Sequence, residues 1–177
     1  MCNKCLPCCC NTGVIGPQGP QGPQGPAGPP GPPGPPAAAA TLSGLQTQLV
    51  GSGGTTVGVG ANVIFNSIVS SPSPNITYNA ATGVFTITQP GTYYIDWWVN
   101  ADGAGPETTV IFSIVASNGQ TISASSLSPI TSLQLNGHAL ITVAAPATFS
   151  LVNNTPFAVA YGVSAIQADL AIIQVTA

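Results

Sequence analysis

The side chains able to do chemistry in this sequence are few and fall in separate places. All five cysteines, Cys2, Cys5, Cys8, Cys9 and Cys10, stand in the first ten residues; the one histidine is His138, and the carboxylates are Asp96, Asp102, Glu107 and Asp169. Cys2, Cys5 and Cys8 have the C-x2-C-x2-C spacing that opens a bacterial iron–sulfur run. Thr12 stands where the fourth ligand would come, however, and no proline follows it. An arm this short has no core to staple, and an odd number of thiols leaves at least one unpaired within a chain. Intermolecular disulfides are therefore the expected chemistry of the arm, joining chains to each other or to an anchor.

His138 follows Asn136-Gly137, a pair that favours a type I′ hairpin turn. A triad can be drawn between it, a serine and Asp96, Asp102 or Asp169. No G-x-S-x-G elbow exists to present a nucleophile, so neither catalysis nor a cofactor is expected. Asp102 and Glu107, at the loop from Asn100 to Pro106, offer oxygen ligands to calcium but too few for a cage. Gly58-Val59-Gly60 lacks the Lys and Ser/Thr of a phosphate loop. Asn75-Ile76-Thr77 and Asn153-Asn154-Thr155 have the glycosylation pattern.

Composition removes further classes. Charged residues are 3% of the chain, the net charge is -3 and there is no arginine, so nothing can displace counterions from nucleic acid or an anionic membrane. Apolar runs are interrupted every few residues, too often to span a bilayer. The 44% hydrophobic content must be buried in a core and between subunits. Met1 to Cys10 has no apolar h-region, so no conventional secretory signal is expected.

Four segments position these groups: an arm over 1–12, a stalk over 13–36, a neck over 37–61 and a head over 62–177. In the stalk glycine falls at every third place, at Gly13, Gly16, Gly19, Gly22, Gly25, Gly28, Gly31 and Gly34. This is a collagen repeat. Only glycine fits at the axis of three wound polyproline strands, so the phase specifies a triple helix of three chains, whereas a flexible Pro-rich linker needs no phase. Its 24 residues span roughly 70 Å at about 3 Å of rise each. A rod this short needs an outside trimerising element. The Gly-Pro-Pro triplets lie beside the head, which suits nucleation there. In the neck, Ala38, Leu42, Leu45 and Leu49 have the spacing of a short coiled-coil seam.

The head reads as all-β. Runs at Val63 to Val69, Val84 to Thr88, Tyr93 to Asn100, Val110 to Ala116, Leu140 to Val143, Thr148 to Val152 and Ile166 to Val175 predict a two-sheet sandwich. Thr82-Gly83, Asn118-Gly119 and Asn136-Gly137 are the turn signals between them. Tyr93, Ile95, Trp97 and Val99 take one face of their strand, and Tyr94 and Trp98 take the other with Asp96 between them. A strand apolar on both faces needs a neighbour on both, and in a trimer another subunit covers the second face. With Phe85, these residues are the expected core and trimer interface.

The stretch Tyr78-Asn79-Ala80-Ala81-Thr82-Gly83-Val84-Phe85, followed by Pro90-Gly91-Thr92-Tyr93-Tyr94-Ile95, resembles the signature of the complement globular-head and tumour-necrosis-factor superfamily. Ile95 stands where that family has Phe. The resemblance implies a ten-stranded jelly roll in a tight homotrimer. The combination of collagen stalk, low-charge head and no signal peptide is similar to the collagen-like glycoproteins of the bacterial exosporium, from which this chain differs in having a cysteine arm in place of their Pro-rich anchoring motif. It implies a structural protein of the spore surface whose trimeric head faces outward. The stalk, the trimeric-type head and the cysteine arm together point to a filament subunit, in which the arm of one trimer docks on the apex of the next. Its partners are then copies of itself and other exosporium or spore-coat proteins. The alternative is an adhesin head that recognises glycans or host proteins. Changing Cys2, Cys5, Cys8, Cys9 and Cys10 together to Ser is expected to abolish reduction-resistant assemblies and leave trimers; a non-reducing gel beside sedimentation reads both.

Overall fold

The computed structural model describes residues 13, 15–34, 43–51, 55–102, 109–127, 132–144 and 146–176. Cys2, Cys5, Cys8, Cys9 and Cys10 lie outside them, as do Ala38 and Leu42 of the expected seam. The chain divides into two units, Met1–Ala38 and Ala39–Ala177. In the first, the described residues form neither helix nor strand and are exposed. A Cβ built on any of the eight repeat glycines meets no atom within 4 Å.

In the second unit every regular element among the described residues is a strand: β1 (Gly44–Val50), β2 (Thr56–Val57), β3 (Ser67–Ser70), β4 (Ile76–Asn79), β5 (Val84–Ile87), β6 (Gly91–Ala101), β7 (Thr109–Ala116), β8 (Thr121–Leu127), β9 (Leu133–Val143), β10 (Ala147–Asn153), β11 (Val159–Ala160) and β12 (Ile166–Thr176). They build two five-stranded antiparallel sheets, ordered β3-β1-β12-β6-β9 and β4-β5-β10-β7-β8, with β11 and β2 as a separate ribbon. The sheets pack face to face as a jelly-roll-like sandwich, as the head's alternating pattern predicts.

Period-2 alternation drives the inner layer. The first sheet contributes Tyr93, Ile95, Trp97 and Val99 from β6, and the second contributes Phe85, Phe112, Ile114 and Phe149, all buried. Phe85 stacks on Phe149 at 4.8 Å and 6°, and Trp97 crosses to Phe112 at 6.4 Å and 55°. Each such ring contributes about 1.5–3 kcal/mol by leaving water. Tyr78, from the stretch that carries the family resemblance, accepts from the Phe65 N–H at 2.7 Å and donates back to its carbonyl at 3.1 Å. That exchange seats the irregular segment holding the buried Val63 and Phe65.

Four expectations are corrected. The neck seam is not a helix where it is described: Leu45 and Leu49 lie in β1, paired with β12 on one side and β3 on the other. A spacing of four is shared by helix and strand, and here Leu45, Thr47 and Leu49 alternate with Gln46 and Gln48. The head's sheet therefore begins at Gly44, ahead of the expected boundary at residue 62. The run from Val63 to Val69 holds only the short β3, while β4, β8 and the β2–β11 ribbon were not expected.

Asn136-Gly137 is no turn either. It lies mid-strand in β9, with Asn136 opposite Trp98 and Gly137 opposite Trp97. By contrast Gly83 and Gly119 do turn the chain, with φ of +72° and +88°. Glycine is required at 137 for space: a Cβ there would lie 2.3 Å from Trp97 Cζ2 and 2.6 Å from Cε2. Gly137→Ala must displace a core indole backed by Phe112, at a cost of about 1–3 kcal/mol, and is expected to lower the thermal midpoint by several degrees. Asn136→Ser on the outward side should leave the midpoint unchanged. Equal sensitivity at the two positions in differential scanning calorimetry would contradict the strand assignment.

Candidate assembly face

β6 directs Tyr94, Asp96 and Trp98 away from the core. The register of its neighbours builds rows across this outer face. Tyr94 stands between Ile173 of β12 and Leu140 of β9, Asp96 between Ala171 and His138, and Trp98 between Asp169 and Asn136. The rows continue onto β1, where Gln46 pairs with Ala171 and Gln48 with Asp169. Tyr94 is 38% exposed and Leu140 61%. The face is thus apolar along the Ile173–Tyr94–Leu140 row and at Trp98, with polar groups between.

Its charges are arranged as closely as its rings. Asp169 is only 8% exposed, and its carboxylate accepts from Gln46 Nε2 at 3.0 and 3.3 Å and from Gln48 Nε2 at 2.9 Å. Amide donors from the adjacent strand therefore replace the water lost around this charge. The His138 ring stacks beside Tyr94 at 6.4 Å and 26°. The strands β4, β5, β7, β8 and β10 contain no Asp, Glu, Lys, Arg or His, whereas Asp96, His138 and Asp169 all lie on the first sheet's outer face. In a chain with four carboxylates and one histidine, this concentration sets the outer face of the first sheet apart from the second sheet.

The residues singled out in the sequence separate cleanly. Phe85, Tyr93, Ile95 and Trp97 are core, while Tyr94 and Trp98 are on the outer face. His138, expected beside a turn, is mid-strand because Gly137 holds the Trp97 indole. Its register partner is Asp96, on an open sheet and not in a cleft. Asp102 is described and Glu107 is not, and among the described residues no three His, Cys, Asp or Glu side chains are grouped to hold a metal within one chain. The Gln46–Asp169–Gln48 cradle was missed. The polar alternation of Gln46 and Gln48 carries that signal, once β1 is read as a strand. Burial raises the phenol pKa of Tyr78, Tyr93 and Tyr161, with like-charge repulsion from an ionised Tyr78 adding to the rise at Tyr161.

Asn153, the first residue of one glycosylation pattern, is fully buried. Its Nδ2 donates toward the carbonyls of Val57, Gly58 and Phe157 at 3.0–3.2 Å, and its Oδ1 accepts from the Thr155 N–H at 2.9 Å. It is a structural pin, closed to a glycosyl donor in the folded head. Asn153→Ala leaves several buried backbone groups unpaired and is expected to remove about 2–4 kcal/mol from the unfolding free energy in urea titration; a loss below about 0.5 kcal/mol would show that water enters freely there.

No family model and no curated protein matches the chain. Solved structures do match its fold. The globular domain of the zebrafish complement 1qA protein aligns at 15% identity and a TM-score of 0.56, over 76% of this chain and 98% of its own. The Eiger tumour necrosis factor of S. frugiperda aligns at 16% and 0.64, over 76% and 92%. Murine APRIL aligns at 11% and 0.60, over 76% and 100%. At these identities the likeness is one of fold: the head is similar to the complement and tumour-necrosis-factor jelly rolls.

Proposed function

We propose that this chain is the structural subunit of a homotrimeric filament on the surface of a bacterial spore. The observation that carries the reading is the double-faced strand β6, whose inward rings fill the sandwich while Tyr94 and Trp98 face outward beside Ile173 and Leu140. Another copy of the same face and edge covers them. The stalk supports the number three. Each repeat glycine has open space around it in the single chain, so the strict phase has no cause within one chain, and two further strands at a triple-helix axis supply one.

In this reading the head trimerises first and holds three stalks together, and the triple helix propagates away from it. The cysteine arms then reach the apex of a preceding trimer and are locked by disulfides. A head-to-tail contact of this kind does not close on itself and grows into an open fibre. The low charge of the second sheet's strands suits a surface repeated many times along such a fibre.

The test is the full chain beside a Tyr94→Glu and Trp98→Glu double variant. The unaltered protein is expected to sediment as three chains and to form rods or fibres in negative-stain electron microscopy. The variant, with charges like those of Asp96 and Asp169 added to the outer face, is expected to keep its far-ultraviolet β spectrum and sediment as one chain. Trimers that survive both glutamates would move the interface elsewhere. Unaltered protein that stays as separate head-and-stalk particles under oxidising conditions would remove the filament.

A further inference from the structure

We infer that Asp96 and His138 form one third of a divalent transition-metal site, completed by the same pair from two other copies of the chain. The inference rests on the trimeric reading above and adds a ligand to its interface.

The two residues are register partners on neighbouring antiparallel strands, and both are exposed on the outer face. Their Cβ atoms are then about 4.5–5.5 Å apart, which lets a carboxylate and an imidazole reach one ion at about 2.0–2.2 Å. Tyr94 stacks on one face of the imidazole. That contact lies over a face of the ring, whereas the nitrogens that bind a metal lie on its edge. Each residue is also the midpoint of its strand, Asp96 in Gly91–Ala101 and His138 in Leu133–Val143.

Position on the sheet favours sharing between copies. β9 is a long edge strand, whereas the opposite edge of the same sheet is the four-residue β3. In the trimeric reading, the copies meet through this face and its edge. The long edge carrying His138, with Asp96 one strand inside it, is the side suited to the axis. One copy offers two ligands, too few for a zinc centre, and among the described residues no third His, Cys, Asp or Glu joins them within the chain. Three copies offer three imidazoles and three carboxylates.

Charge points the same way. Each copy brings Asp96 and Asp169 to the shared face, and the chain's one lysine is Lys4, in the arm, with no arginine. Burying carboxylates without a cation is costly. Asp169 has its Gln46 and Gln48 donors, while the Asp96 carboxylate makes no side-chain hydrogen bond among the described residues. A divalent ion held by mixed imidazole and carboxylate ligands offsets most of the charge of the three Asp96 carboxylates, and that ligand set selects zinc-like ions over calcium.

The experiment uses the full chain carrying Cys2→Ser, Cys5→Ser, Cys8→Ser, Cys9→Ser and Cys10→Ser, so that no thiolate competes for metal. After chelator treatment, Zn2+ is titrated in, and bound zinc and chain mass are measured after gel filtration. One zinc per three chains is expected, with a raised thermal midpoint for the trimer and no response to Ca2+. Adding Asp96→Asn or His138→Ala should weaken zinc binding at least tenfold while the trimer persists; circular dichroism confirms that each variant folds, and either one alone suffices. Trimers that bind no zinc, that bind it equally in both variants, that hold one zinc per chain, or whose stability follows pH without responding to zinc would overturn the inference and leave the trimer intact. Monomers at the same concentration would overturn the trimeric reading itself.

Discussion

Strand β6 must satisfy packing on both of its faces and hydrogen bonding along both of its edges. Inward, Trp97 lies over the backbone of Gly137 and reaches Phe112 across the sandwich. That placement sets the register of β9 against β6, because any side chain at residue 137 would collide with the indole. The other edge of β6 pairs with β12, and β12 in turn pairs with β1. Outward, the same registers decide which residues share a row, so the composition of the outer face follows from a contact buried beneath it.

The electrostatics of the head follow from scarcity. With only 3% of residues charged, surface ion pairs contribute almost nothing to stability. The sandwich relies on aromatic burial and on side-chain to backbone hydrogen bonds such as those of Asn153 and Tyr78. Where charge does occur, the fold treats it individually. The Asp169 carboxylate is cradled by two glutamine amides on the adjacent strand, neutral donors that offset the loss of water around the buried charge. The glycines of the stalk are crowded by nothing in one chain.

Much of this was readable from local pattern. The alternation from Tyr93 to Val99 marks the central strand and its two unlike apolar faces, because side chains in an extended chain must alternate. Thr82-Gly83 and Asn118-Gly119 turn the chain where their residue types favour it, and both glycines take positive φ. The glycine phase of the stalk is likewise a property of consecutive residues. Local pattern failed where two structures share one signature. Leu45 and Leu49, four apart, suit a helical seam and one face of a strand equally well, and pairing with β12 decides between them. Asn136-Gly137 has the chemistry of a hairpin turn, yet a tryptophan far upstream needs that glycine for space and holds it mid-strand. The Asp96–His138 pairing and the Asp169 cradle were invisible for the same reason. Strand period and turn preference act within a few residues, whereas register is set by contacts between strands distant in the chain, and only the packed sandwich selects among the registers that local preference allows.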